Sequence, residues 1–203
     1  METQTKIIVA TGNEGKMAEI RQILGSENIN FSSLKDEGLL DIEIIEDGKT
    51  FEENAIIKAR KICDITGKMV LADDSGLEVD YLDKAPGIYS ARYMGEDTPY
   101  SVKNQHIIDQ LEGVEEEKRS ARFVCVIACA FPDGRNITTR GVIEGRIGYE
   151  EKGTNGFGYD PIFYVPELGC TTSELSPEAK NKISHRGRAL TAMYEELKKE
   201  NVL

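Results

Sequence analysis

The chain has 203 residues, 39% of them hydrophobic and 30% charged, enough for one domain or two small lobes around a real core. Its formal net charge of −11 argues against broad binding to nucleic-acid backbones, which takes a basic face, but is compatible with a local cationic pocket for a small anion. No apolar run reaches the ~20 residues of a membrane span, and Met1-Glu2-Thr3-Gln4-Thr5-Lys6 lacks the apolar core of a secretory signal, so no membrane partner is expected and the cytoplasm is the expected location.

Lys6-Ile7-Ile8-Val9-Ala10 predicts a first buried strand. Thr11-Gly12-Asn13-Glu14-Gly15-Lys16 follows, and then Met17, Ile20, Ile23 and Leu24 recur at helical spacing as far as Gly25. A glycine-bearing loop thus joins a strand to a helix start, where backbone N–H groups and the helix dipole suit an anion. Lys16 in the first turn opposes the dipole, a conflict that an anionic ligand resolves. The spacing G-x-x-G-K, with Met17 where a metal-binding hydroxyl would stand, is not a P-loop.

Asp41 to Gly48 predicts a strand running into a tight acidic turn. Thr50-Phe51-Glu52-Glu53 fits a capping box, with Glu53 reaching back to the N-cap, and the helix runs to about Thr66 with Gly67 at its C-terminal cap. Asn54, Lys58 and Lys61 share a face of that helix, which for Lys61 is best read as solvated. Lys58 is a candidate phosphate contact and Glu46 a candidate metal ligand. Val70 to Asp80 then carries an apolar run to the pair Asp73-Asp74, with Ser75-Gly76 as a turn. Two carboxylates at a buried strand end are costly to desolvate and usually hold a cation or share a proton. Magnesium prefers one or two carboxylates plus substrate phosphates, so the pair suggests a metal site handling a phosphate ester; a solvated Asp-Asp-Ser-Gly turn is the plainer alternative.

Ala85-Pro86-Gly87 marks a turn before the aromatic segment Ile88 to Tyr93, and a helix opening at Pro99 carries Val102, Ile107, Ile108 and Leu111 and ends at Gly113. His106 within it reads as a surface or packing histidine, and Glu115 to Glu117 as a solvated loop. Residues 121 to 131, apolar on both faces, predict a central strand in which Cys125 and Cys129 are core. The four cysteines form no C-x-x-C pair and the two histidines are far apart, against a zinc site. Pro132 to Arg135 is a hairpin turn into a strand over Asn136 to Glu144. In the glycine-rich loop Lys152 to Pro161, Phe157 and Tyr159 are candidates to stack on a base and Asp160 to accept from base N–H groups; the alternative is a plain loop anchored by its aromatics. Ile162 to Val165 predicts another strand, and Ser176-Pro177-Glu178 opens a short helix bearing Lys180 and Lys182. Ser184 reads as the cap of a last helix whose buried face is Leu190, Met193, Tyr194 and Leu197. Cations in its first turn, His185-Arg186-Gly187-Arg188, oppose the dipole by ~0.3–1 kcal/mol each, so they are expected to serve an anion or a carbonyl.

Together these features suit a nucleoside triphosphate, with Lys16, Lys58 and Lys180 neutralising phosphates, Asp73, Asp74 and Glu46 holding magnesium, and Phe157 covering the base. The motifs T-G-N-x-G-K (Thr11 to Lys16), T-F-x-E-N-A-x-x-K-A (Thr50 to Ala59), A-D-D-S-G-L (Ala72 to Leu77), A-P-G-I-Y-S-A-R-Y (Ala85 to Tyr93), G-F-G-Y-D-P-I-F (Gly156 to Phe163) and S-H-R-G (Ser184 to Gly187) span nearly the whole chain. In that order they resemble the inosine/xanthosine triphosphate pyrophosphatase family. The resemblance implies an α/β fold of two lobes around a long central mixed β-sheet flanked by helices, with an inter-lobe cleft, acting over residues 1–203 as a single catalytic domain. It also implies magnesium-dependent hydrolysis of ITP, dITP and XTP to the monophosphate and pyrophosphate, and a homodimer. By the same resemblance Asp74 is the general base and a magnesium ligand, and Glu46 the second ligand, with Glu43 as its near alternative. Thr11, Gly12, Asn13, Glu14, Gly15, Lys16, Ser75 and Lys180 contact substrate, and Phe157, Gly158, Tyr159, Asp160, His185 and Arg186 form the base pocket. The rival readings are a Maf-like pyrophosphatase of other base preference, a nucleotide-sensing module without turnover, and a scaffold.

Overall fold

The computed structural model describes residues 5–25 and 29–203; residues 1–4, part of the stretch in which no secretory signal is read, lie outside the described residues. In chain order the elements are β1 (Thr5–Val9), α1 (Glu14–Leu24), β2 (Ile29–Ser33), α2 (Phe51–Thr66), β3 (Val70–Val79), α3 (Tyr100–Gln110), β4 (Ser120–Ala130), β5 (Asn136–Ile147), β6 (Phe163–Val165), β7 (Cys170–Thr171), α4 (Pro177–Ile183) and α5 (His185–Lys199). The strands pair in the order β2-β1-β3-β4-β5-β6-β7. β1 is parallel to β2 and β3, whereas β5-β6 and β6-β7 are antiparallel, so the sheet is mixed and the chain is of the α/β class. No helix among the described residues is long and apolar enough to cross a membrane.

Two compact units divide the chain. The first comprises residues 1–74, 125–141 and 186–203, the second residues 75–124 and 142–185. In the first, Ile7, Val9, Leu71 and Ile127 of the strands meet Met17 and Ile20 of α1 and Leu190, Met193 and Leu197 of α5 in one buried cluster. In the second, Leu77, Val79, Phe123, Ile147 and Phe163 pack with Ile107 of α3, and Ile183 of α4 lies against them. The period of two along the strands, which sends successive side chains to opposite faces, and the i, i+3, i+4 recurrence of apolar residues along the helices bring these residues together.

Several local expectations need correction. Asp41 to Gly48 is not a strand: its residues alternate between exposed and half-buried, but no strand among the described residues pairs with them. A period of two fixes the exposure of an extended segment, not a ladder partner. Ser75-Gly76 is not a turn, since β3 runs through it without interruption to Val79. The two acids therefore stand in mid-strand rather than at a strand end, which is possible because Lys16, Lys58 and Arg186 meet them there. Thr50 caps α2 by accepting from the Glu53 N–H, yet the Glu53 carboxylate reaches past the cap to the Lys49 N–H at 2.6 Å. Gly67 closes α2 in the left-handed conformation (φ 63°). In α3, Val102 is exposed while Lys103 and Asn104 are buried, because the inward face runs through Lys103, Ile107 and Leu111 at intervals of four. That helix begins at Tyr100, one residue past Pro99, and ends at Gln110. The short strands β2 and β7 carry too few apolar residues to announce themselves.

Candidate active site

In the first unit the site is assembled where the end of β1 meets the middle of β3. β1 lies parallel to β3, and the Ala10 N–H reaches the Leu71 carbonyl at 2.7 Å, so the loop after β1 emerges beside the acids of β3. Thr11 Oγ1 accepts from the Asn13 N–H, and Asn13 is the N-cap of α1, its Oδ1 accepting from the Lys16 N–H at 3.0 Å. Asparagine suits that position because its short carbonyl satisfies a helix N–H that has no intrahelical acceptor. The remaining N–H groups of the first turn are donors suited to an anion. Thr11, Gly12, Asn13 and Glu14 line a cavity of about 530 Å³ together with Arg21 and Lys35, within the size range of small-molecule sites.

Lys16 does not point its charge at a ligand alone, for its Nζ lies 2.5 Å from Asp73 Oδ1. Asp73, fully buried, also accepts from Arg186 Nε at 2.7 Å and from the Cys125 thiol at 3.1 Å, and Arg186 in turn pairs with Glu19. The anion served by the cationic start of α5 is thus in part the protein's own. Burial by itself would raise the Asp73 pKa, but Arg186 and Lys16 outweigh it and hold the carboxyl well below the ordinary range. Burial and the Asp73 charge push the Cys125 thiol well above its usual value, which keeps it a hydrogen-bond donor.

Asp74 points into different company. Lys58 of α2, buried like Asn54 one turn before it, reaches Asp74 Oδ1 at 2.7 Å and Glu46 Oε2 at 2.8 Å. Lys61 on the same helix is exposed, as is Glu43, whereas Glu46 is half-buried. Asp74 Oδ2 is buried and has no hydrogen-bond partner among the described residues. An unsatisfied buried acceptor costs about 1–3 kcal/mol and calls for a functional explanation. Burial raises the Asp74 pKa, and Glu46 adds to this; Lys58 offsets only part, so the carboxyl sits above its usual value. Burial would lower the pKa of Lys58, yet Asp74 and Glu46 raise it on balance. No group of three or more His, Cys, Asp or Glu side chains among the described residues is disposed to hold a metal by itself. The donors at hand are two carboxylates, the number magnesium takes from a protein when phosphates supply the rest.

In the second unit Ser75, next to Asp74 in the chain, is half-buried within β3. The aromatic glycine loop is organised by Asp160, whose Oδ2 accepts from the Phe157 N–H at 2.8 Å and pairs with Lys180 Nζ at 2.5 Å, while Oδ1 accepts from Thr172 at 2.8 Å. Lys180 Nζ also lies 5.0 Å from the centre of the Phe157 ring, a cation–π distance. Tyr159 is buried, donating its hydroxyl to the Ser90 carbonyl and meeting Tyr100 edge-on. His185 is buried and stacked on Phe123, ring centres 4.8 Å apart. Gly156 allows the loop to close: its φ is +75°, and a Cβ there would stand 2.2 Å from Asp160 Oδ2. We expect Gly156→Ala to destabilise the protein by about 1–3 kcal/mol, measured by urea unfolding, because the clash falls on a carboxylate already held by two side chains.

The sequence matches the Ham1 family over residues 7–196. The chain belongs to the Ham1 family. A relative from Bacillus licheniformis, a dITP/XTP pyrophosphatase, is 51% identical over 91% of this chain and 94% of its own length. A dITP/XTP pyrophosphatase from Exiguobacterium sibiricum is 49% identical over 91% of this chain and 93% of its own. The structure of a HAM1 protein from Coxiella burnetii superposes with a TM-score of 0.86 at 43% identity, covering 96% of this chain and 99% of that one. This is the family that the six sequence motifs resemble. Some residues of the buried charge cluster have no strong signal in the sequence. Glu19 is one: only its place one turn after Lys16 on α1 hints that it joins the buried charge cluster. Cys125 reads as core, and its donor role emerges only from its contact with Asp73.

Proposed function

We propose that the chain hydrolyses non-standard purine nucleoside triphosphates, ITP, dITP and XTP, to the monophosphate and pyrophosphate, cleansing the nucleotide pool. The observation that carries this reading is the buried trio Asp74–Lys58–Glu46, with Asp74 Oδ2 unbonded among the described residues, in a family whose relatives are dITP/XTP pyrophosphatases. The Asp74 carboxylate takes a proton from a water as the water oxygen bonds to the α-phosphorus and pyrophosphate departs. Lys58 orients that carboxylate and, with Lys16, neutralises phosphate charge; the loop Thr11 to Lys16, through the N–H groups of Gly12, Glu14 and Gly15, the Ser75 hydroxyl and Lys180 complete the hold on the substrate. Phe157 stacks on the base, and Gly158, Tyr159, Asp160, His185 and Arg186 form its pocket. A donor such as Arg186 or a backbone N–H suits the 6-keto group of hypoxanthine and xanthine and meets another donor in adenine, a mispairing that discriminates strongly. For guanine we assign rejection to an unmet 2-amino donor, and equal turnover of dGTP and dITP would remove that assignment.

Asp74 and Glu46 fit magnesium: the half-buried Glu46 already shares a cation with Asp74, and the buried Oδ2 of Asp74 is an acceptor in want of a partner. When bound, the metal supplies charge neutralisation on the phosphates and a lowered pKa for a nearby water. We further propose that residues 1–203 act as one catalytic domain, in the cytoplasm, as a homodimer. Sedimentation at micromolar concentration distinguishes dimer from monomer.

A panel of nucleoside triphosphates, scored for pyrophosphate against orthophosphate in the presence of magnesium, tests the reading. The expected result is pyrophosphate from dITP, ITP and XTP and little from the four standard dNTPs. Preference for other bases points to a Maf-like enzyme. Binding of ITP without pyrophosphate release ends the enzymatic reading and leaves a sensing module.

A further inference from the structure

Helix α3 buries two polar side chains where its phase calls for apolar ones, Lys103 and Asn104, each 1% exposed. Burying such groups is costly unless each makes a specific bond. Lys103 Nζ donates to the Ala91 carbonyl at 2.7 Å. Asn104 Nδ2 donates to the Gly158 carbonyl at 3.2 Å and to Glu151 Oε1 at 2.6 Å, so one amide ties together both sides of the glycine-rich loop. Tyr100, one turn earlier on the helix, meets the Tyr159 ring edge-on with centres 5.2 Å apart. Gly158 itself sits at φ +68°, close to the Tyr100 ring.

The consequence lies in the peptide plane. The Gly158–Tyr159 peptide is trans, so its C=O and N–H point to opposite sides. With the carbonyl held by Asn104, the Tyr159 N–H is turned away from α3, and it has no hydrogen-bond partner among the described residues. We infer that Asn104 is a positioning residue for the base-binding loop: by anchoring the Gly158 carbonyl it aims the Tyr159 N–H, and with it the neighbouring Phe157 ring, at the purine. The inference rests on the proposal that this loop holds the base. Asn104 touches neither the reacting phosphorus nor the base, and it acts through the loop backbone.

Three variants decide it. Asn104→Asp keeps the volume but sets a carboxylate against a carbonyl and Glu151, Asn104→Ala removes the amide, and Glu151→Gln keeps the acceptor oxygen as a control. For both Asn104 variants the KM for dITP is expected to rise about 3- to 10-fold, the effect of one hydrogen bond, with kcat within about twofold of wild type. Discrimination between dITP and dATP in kcat/KM is expected to fall, and amide exchange in residues 156–160 to quicken; Glu151→Gln is expected to behave as wild type. Unchanged KM and unchanged exchange in Asn104→Asp would overturn the inference. So would a proportional loss of kcat with KM unaltered, which marks a merely less stable fold. If Asn104→Ala does not fold, Asn104→Asp still carries the test. Should the wild type itself fail to turn over dITP, the nucleotide reading fails, while exchange at residues 156–160 still decides whether Asn104 anchors the loop.

Discussion

Replacing Asp74 by asparagine is expected to lower kcat for dITP by on the order of 10²–10⁴-fold while dITP binding changes little. Asparagine has nearly the same shape, and Lys58 keeps its bond to Glu46, so the buried arrangement persists without its base. The separation matters: a parallel loss of binding would mark Asp74 as a substrate anchor rather than a proton acceptor. Single-turnover rates for chemistry and equilibrium dialysis for binding give the two quantities. The pH profile adds an independent check. Burial holds the Asp74 pKa above the ordinary 3.8, with Lys58 offsetting part of the shift. The base works only when deprotonated, so kcat/KM is expected to fall on acidification, and the variant should lose that limb.

Asp73→Asn should be chiefly a stability variant, with an expected loss of about 3–5 kcal/mol, because it leaves Arg186 and Lys16 short of a buried counter-charge. For a chain of this length that corresponds to a fall in Tm of roughly 6–20 °C. The pH dependence has a definite sign. Burial would raise the Asp73 pKa, but Arg186 and Lys16 depress it, so the folded state holds the carboxylate ionised where the unfolded chain would protonate. Its contribution is fully present above the ordinary carboxylate pKa and is lost as pH falls through the folded value. The gap in stability between wild type and Asp73→Asn should therefore be widest near neutrality and narrow below about pH 4. A gap that stayed constant down to pH 3 would mean that Asp73 acts by shape rather than by charge.

Most elements of the fold were legible in the sequence. Thr50 as a cap, Gly67 as a stop and the apolar spacing from Met17 to Leu24 act within a few residues, and the structure places them as read. Sequence and structure part where a local pattern has two tertiary outcomes. Asp41 to Gly48 has the alternation of a strand but no partner strand among the described residues, and Ser75-Gly76 has the composition of a turn yet continues β3. On α3 the apolar Val102 is exposed, and the inward face lies one residue on, with Lys103 and Asn104.

By itself the sequence determined the family, the chemistry in reach and the residues to watch, because six short motifs in fixed order each carry their own residue types. Only the tertiary structure decided how the charges pair. Asp73 and Arg186 are 113 positions apart, and nothing local says that the cationic start of α5 meets an acid of β3. Adjacent aspartates in a strand point to opposite faces, so the sheet sends Asp73 toward Lys16, Arg186 and Cys125 and Asp74 toward Lys58 and Glu46. That split leaves one carboxylate satisfied on every side and the other with an oxygen to spare.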